Sequence, residues 1–231
     1  MTHIATLQSQ AGTSTSIELD RGRLNDLARA GKADAYIVAT EDGFSPLGME
    51  RSFLANDLGI SVNQIAHLAN WNRFENPRIS LVAIPSRRRS SLLRGVILAP
   101  SETSKCYKQF APPFYGRPYR DFYYNVTYEA IAYASVEWSA RRLAISHLSA
   151  SQRFHESIAM CNAEALAHFC DANPRAIDSF TFLGCCMGEG DFAGIPRLNA
   201  DGETGSHRAI DTEVELREGY SIVHLGWKRA E

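Results

Sequence analysis

The sequence lacks the features that would place it outside an ordinary reduced compartment. Its cysteines number five and include no CxxC pair, which argues against a disulfide framework and a zinc knuckle. No window approaches the roughly 20 consecutive apolar residues of a membrane span, and the N-terminus lacks a basic stretch followed by an apolar signal core. We therefore expect a cytoplasmic protein without a membrane segment, with its thiols reduced.

The sequence also has no large excess of positive or negative charge. The chain has 24 Lys+Arg against 26 Asp+Glu, a formal net charge of -2, so no global positive field is available to hold a polyanion and nucleic acid is not the expected partner. A local basic run at 87–89 reads either as a phosphate-binding patch or as a solvated loop. The 231 residues suit a single domain over 1–231.

Familiar cofactor and catalytic motifs are absent. The sequence has no GxGxxG, GxxxxGK[ST] or GxSxG segment, so no dinucleotide, nucleoside triphosphate or nucleophile-elbow site is supported. The candidates for metal binding are His155, His168 and Cys170, but the last two are two positions apart on a predicted helix and point in divergent directions. We expect no cofactor and no metal. Cys185-Cys186 closes a predicted strand and is read as buried and inert rather than nucleophilic.

What the sequence does contain is an alternation of apolar strands and amphipathic helices. Strands are predicted at 13–20, 35–40, 79–84, 95–99, 143–146 and 180–183, and helices at 22–30, 48–58, from 61, at 127–142 and from 155. Two alternating runs around Glu218-Gly219 predict a C-terminal β-hairpin. This order favours parallel right-handed crossovers and predicts a three-layer α/β/α fold with a mixed sheet, a core over 14–187 and a hairpin extension over 205–229.

The segment 107–128 is unusually aromatic. It holds nine of the 23 aromatic residues among prolines and a glycine, and we read it as loop-like. The rings either stack on a base or a partner protein or cover one end of the core.

Two polar loops follow the predicted strands at 35–40 and 143–146. If these strands are parallel neighbours, the loops meet at the carboxyl edge of the sheet, where open α/β sheets bind ligands. The helix that starts near His155 would present free N–H groups there and favour an anionic group such as a phosphate.

Several segments then resemble the macro domain, the fold known for binding ADP-ribose. The family's early I-x-x-x-G-D-I, D-A-I-V-N-A-A-N and G-G-V-D-x-A-I motifs correspond to 17–24 (IELDRGRL), 34–41 (DAYIVATE) and 47–53 (LGMERSF). Its later helix, strand, phosphate loop, helix and last strand correspond to 128–142, 143–150, 151–154, 155–171 and 177–183. The resemblance covers about 14–187 and implies a macro-like fold that binds ADP-ribose or a derivative.

At three functional positions of the family, this sequence has different residues. Arg23 stands at the adenine-contacting aspartate, Glu41 at the ribose-contacting or catalytic asparagine, and Ser151, Gln152 and Arg153 at the loop glycines. A carboxylate beside a diphosphate costs about 1 kcal/mol at 4 Å in water and more in a cleft, and a loop without glycine cannot bring its backbone as close to a phosphate. We therefore expect binding at micromolar affinity or weaker.

The resemblance implies a small-molecule site at the carboxyl ends of the central strands. Candidate acid or base carboxylates for a hydrolysis of ADP-ribose derivatives are Glu41, Asp42 and Glu50, whose other interpretation is as turn and helix-start residues. The candidate ligand-binding residues are Arg23, Gly48, Ser149, Ser151, Arg153 and Phe154.

Two other functions stay open. The chain is alternatively a catalytically silent macro-like domain that acts through protein–protein interaction, using the aromatic segment 107–128 or the C-terminal hairpin. Single-stranded RNA binding through 87–89 and the tyrosines is the third and weakest reading, because of the net charge.

Overall fold

The computed structural model describes residues 1–22, 30–40, 55, 78–86, 92–100, 117–146, 155–183, 192, 194–195, 211–217 and 219–226. These ranges contain nine strands and two α-helices. The strands are β1 (Thr2–Gln8), β2 (Ser14–Asp20), β3 (Ala35–Thr40), β4 (Arg78–Pro85), β5 (Gly95–Pro100), β6 (Arg142–Ser146), β7 (Ser179–Leu183), β8 (Asp211–Arg217) and β9 (Tyr220–Gly226). The helices are α1 (Arg117–Trp138) and α2 (His155–Ala172).

All nine strands form one mixed sheet, in the order β1-β2-β7-β6-β3-β5-β4-β9-β8. Five neighbouring strands, from β2 to β5 in that order, are parallel. The flanking pairs are antiparallel: β1 on β2 at one side, and β4, β9 and β8 in succession at the other. The predicted C-terminal hairpin is confirmed, and its strand β9 is hydrogen-bonded to β4 as part of the same sheet.

The central strands are buried on both faces. Every residue of β3 and of β5 is buried, as their continuous apolar sequences predict. On one face, Ala35, Ile37 and Ala39 join the core that the two helices share, while Tyr36 and Val38 on the other face are also fully buried. The predicted α/β fold with a mixed, doubly covered central sheet is therefore confirmed.

The two helices pack against each other over one face of the sheet. Their contact includes the ring pair Tyr128–Phe169, with centroids 5.8 Å apart and perpendicular planes. Deeper in this contact the Thr127 hydroxyl donates to Asn162 Oδ1 at 2.8 Å, with both residues buried. Neither described helix is long and apolar enough to cross a bilayer.

The prediction for helix α1 was wrong at both ends. The helix starts ten residues earlier than expected, because Pro118 lies in its first turn, where the missing N–H costs nothing. It ends at Trp138 because Ser139 adopts a left-handed conformation with φ 50°. Arg141 and Arg142, which the prediction included in the last turn of this helix, instead lie beyond it, and Arg142 begins β6.

The early start of α1 also corrects the reading of the aromatic segment as a loop. Its described part, from Arg117 onward, is helical, and Phe122 and Tyr123 are fully buried. For these two rings the packing interpretation is confirmed. Residues 107–116 lie outside the described part of the chain.

Strand β1 was not predicted. Only Ala5 and Leu7 of its seven residues are buried, which is a weak apolar signal. The strand is held by its backbone pairing to β2 through a turn in which Gly12 has φ 73°.

Candidate functional site

The strand order changes direction between β3 and β6. From β3 the chain proceeds to β5 on one side, whereas β6 and then β7 lie on the other side. This is the switch point of an open α/β sheet, and the crevice outside the carboxyl ends of the two strands is where such sheets bind ligands. The expectation that these strands are parallel neighbours is confirmed.

At this point the two strands separate toward their carboxyl ends. Strand β3 pairs with β5 along six residue pairs but with β6 along only three, the last being Ile37 with Ile145. Beyond them the Ala39 N–H donates to the Ser146 hydroxyl, at 2.8 Å, instead of to a backbone carbonyl of β6. A side chain therefore bridges the gap that the diverging backbones leave.

The polar side chains at this edge are turned into the sheet. The Thr40 hydroxyl donates to the Ala99 carbonyl at 2.9 Å and is fully buried. Ser146 is 3% exposed. Both residues end their strands at this edge, and the sequence segments that follow them contain most of the predicted ligand-binding residues.

A third polar group, Asp20, closes β2 at the same edge. Its carboxylate accepts the Gly22 N–H at 2.7 Å and lies 3.5 Å from the Lys32 ammonium. Asp20 is 6% exposed, so it fastens the chain that leaves β2. The resemblance to the macro domain placed the family's adenine-contacting aspartate at Arg23, three residues later, and gave no role to Asp20.

The opposite, amino edge of the same strands is tied together by Asp34. One carboxylate oxygen accepts the N–H groups of Arg141 and Arg142 at 2.9 Å each, and the other accepts the Arg142 guanidinium at 2.6 and 3.1 Å. Burial works to raise the pKa of Asp34, but the hydrogen bonds from Arg142 and the two amides outweigh it and lower the pKa. The β3–β6 pair is thus fastened at one end and open at the other.

None of the predicted site residues lies among the described residues. These are Arg23, Glu41, Asp42, Gly48, Glu50, Ser149, Ser151, Arg153 and Phe154. Their described neighbours are Thr40, which ends β3 directly before Glu41, and His155, which begins α2 directly after Phe154.

Two of the three residues considered for metal binding, His168 and Cys170, have other partners. His168 Nδ1 is hydrogen-bonded to the Tyr124 hydroxyl at 2.8 Å, and Cys170 Sγ lies 3.4 Å from the Thr15 hydroxyl. Burial raises the pKa of the Cys170 thiol. The described residues contain no group of three or more acidic, histidine or cysteine ligands.

Comparison with solved structures identifies the architecture. The chain is similar to the macro domain of ganglioside induced differentiation associated protein 2 (GDAP2), with a TM-score of 0.53 at 13% sequence identity, over 79% of this chain and 83% of that one. The chain has the macro-domain fold. No protein-family model matches the sequence, and no curated protein matches it.

Two further structures are similar. The macrodomain of Thermus aquaticus DarG aligns with a TM-score of 0.47 at 11% identity, over 73% of this chain and 98% of that one. A mutant of tomato leucine aminopeptidase aligns with a TM-score of 0.52 at 13% identity, over 85% of this chain but 38% of that chain. At such identities the similarity to GDAP2 and to the aminopeptidase is one of fold.

Within this macro-domain fold, the sequence predicted the edge of the sheet but not the two buried hydroxyls that form hydrogen bonds there. The strands predicted at 35–40 and 143–146 end at Thr40 and Ser146, to which the sequence analysis assigned no role. The sequence signal that sets them apart is a hydroxyl residue at the last position of each predicted apolar run.

Proposed function

We propose that the crevice between the carboxyl ends of β3 and β6 binds a nucleotide-type ligand, with ADP-ribose or a derivative as the leading candidate. The observation that carries this proposal is the separation of the two strands at the switch point, where the Ser146 hydroxyl replaces a backbone partner of Ala39. The macro-domain fold and the sequence resemblance supply the class of ligand.

The helix α2 supports an anionic ligand at this place. It begins at His155, so its first N–H groups face the end of the sheet at which the loop from β6 arrives, and they favour a phosphate. Arg153, two residues before the helix, is the proposed phosphate donor, with Ser149 and Ser151 in the same loop.

Isothermal titration calorimetry with ADP-ribose tests the proposal. Arg153→Ala should weaken binding by about 1–3 kcal/mol, the range for a hydrogen bond to a charged group. Arg175→Ala is the matched control, since Arg175 is exposed and precedes β7 at the opposite edge of the sheet. Arg88→Ala should also change little, and a larger effect for Arg88 than for Arg153 would place binding at the basic loop.

The carboxylates next to the crevice give a second test with the opposite sign. Glu41→Gln and Asp42→Asn should tighten ADP-ribose binding, each by about 1 kcal/mol or roughly fivefold, because each removes a charge that repels the diphosphate. The same variants test hydrolysis: loss of ADP-ribose release from an ADP-ribosylated protein would assign the carboxylates to catalysis. Absence of calorimetric heat in the wild type and all variants would refute the proposal.

A further inference from the structure

Strand β8 lies at the end of the sheet with an open side. Among the described strands its one neighbour is β9, and its side chains Val214 and Leu216 are 47% and 79% exposed. An edge strand offers alternate backbone N–H and C=O groups to another extended chain. Its six residues from Thr212 to Arg217 are exposed or half-buried, on both faces of the sheet, so no described element covers this strand.

A groove lies beside this strand on the face that α1 covers. It has a volume of about 290 Å³, and its walls include Tyr133, Trp138, Leu216 and Tyr220. The rings of Tyr133 and Trp138 stand perpendicular, with centroids 5.5 Å apart. The Tyr133 hydroxyl donates to Ser221 at 2.7 Å and fixes this wall. Such a groove accepts one apolar or aromatic side chain.

Most of the charged side chains on and beside β8 are acidic, although Arg217 lines the groove and His224 Nε2 of β9 lies 3.6 Å from the Glu215 carboxylate. Glu213 and Glu215 lie on the face of β8 opposite to Leu216. On α1, Glu129 is hydrogen-bonded to Thr212 of β8, and Glu137 is exposed two turns further along the same helix face. Arg217 is paired with Glu215. The edge therefore combines apolar and acidic groups in alternation.

This charge pattern argues against a second copy of the chain as the occupant. A symmetric antiparallel pairing of two β8 strands centred on Glu213, Val214 or Glu215 places a glutamate opposite a glutamate in each case. Like charges directly opposite each other destabilise a strand pair. A strand with basic residues at those positions would instead be attracted.

We propose that β8 binds an extended peptide segment of a partner protein by strand addition, with basic residues opposite Glu213 and Glu215 and an apolar or aromatic side chain in the groove beside Leu216. Main-chain pairing along the open side supplies affinity, and the groove and the glutamates supply selectivity. This surface is at the hairpin end of the sheet, so the inference is independent of the crevice between β3 and β6.

The test uses a fluorescein-labelled peptide, Glu-Trp-Lys-Val-Arg-Thr-Lys, written to pair antiparallel with β8. Its fluorescence anisotropy is titrated with the 231-residue chain, beside a charge-reversed peptide, Arg-Trp-Glu-Val-Glu-Thr-Asp. The first peptide should bind at least about tenfold more tightly, because opposite-charge pairs replace like-charge pairs. Equal affinity of the two peptides would overturn the proposal.

Two further measurements separate strand addition from general charge attraction. Glu213→Lys should lose most of the preference for the basic peptide, whereas Asp178→Lys, with the same change of net charge at an exposed site beside β7, should keep it. Bound peptide should also slow amide hydrogen exchange in 211–217. An equal effect of the two variants, or binding without that protection, would overturn the proposal. A wild-type dimer in sedimentation with β8 already protected would show a second copy as the occupant.

Discussion

Replacing Asp34 by Asn should weaken the amino edge of the sheet without changing its shape. The Asp34 side chain is 11% exposed and accepts four N–H donors from Arg141 and Arg142. The amide keeps one carbonyl oxygen but loses the charge and turns N–H donors toward the guanidinium. Loss of a charged hydrogen-bond acceptor costs about 1–3 kcal/mol.

The partial exposure of Arg142 sets an upper limit on the stability that Asp34→Asn loses. Removing one member of a fully buried ion pair costs about 3–5 kcal/mol, but the Arg142 side chain is 38% exposed, so water replaces part of what it loses. We therefore expect about 2 kcal/mol for Asp34→Asn, or a decrease of about 4–8 °C in Tm for a chain of this size. Urea denaturation with linear extrapolation measures the free energy of unfolding directly.

The same variant should also change the pH dependence. Since the pKa of Asp34 is lowered in the folded protein, its contribution is present at neutral pH and above its ordinary value near 4, and is lost as the pH falls through the lowered folded pKa. The difference in the free energy of unfolding between wild type and Asp34→Asn should therefore decrease below about pH 4. Asp178→Asn is the control, because its ion pair with Arg141 is exposed on both sides and contributes about 0–1 kcal/mol. Two results would refute the reasoning. One is a loss of unfolding free energy for Asp34→Asn as small as that for Asp178→Asn, and the other is an equal loss at pH 7 and pH 3.

Two core substitutions have equally specific expectations. A Cβ at Gly95 would lie 2.5 Å from the Trp138 ring, so Gly95→Ala should destabilise the protein by about 1–3 kcal/mol in urea denaturation, and an unchanged midpoint would contradict the packing. Thr127→Val leaves the buried Asn162 amide without the 2.8 Å hydroxyl bond and should cost about 1–3 kcal/mol. Thr127→Ser keeps the hydroxyl and should recover most of that loss in the same assay.

The sequence predicted the strands that are buried on both faces. β3, β5, β6 and β7 were predicted because continuous, mainly apolar runs of four to six residues have few other places in a globular protein. The start of α1 was missed because Pro118 was taken as a loop residue, although proline suits the first turn of a helix. Its end was missed because Ser139 takes a left-handed conformation that usually marks a glycine.

The sequence predicted the position of the candidate site but not the separation of the strands there. That polar loops follow β3 and β6 is a property of the local sequence, so the edge of the sheet was predicted. The separation of the strands after Ile37 and Ile145, and the Ser146 hydroxyl that bridges it, depend on the register between segments more than a hundred positions apart. No local pattern encodes that register.

The strand order also fixes an order of assembly during synthesis. β2 is complete early in the chain, yet its parallel neighbour is β7, so that Ser16 pairs with Ser179. Pairs this distant form slowly, because the entropy of closing the chain is lost before the contact is gained. Until residue 179 and those after it have left the ribosome, strand β2 of the β1–β2 hairpin therefore has no parallel partner. This N-terminal hairpin is the part of the nascent chain with the longest exposure to mispairing.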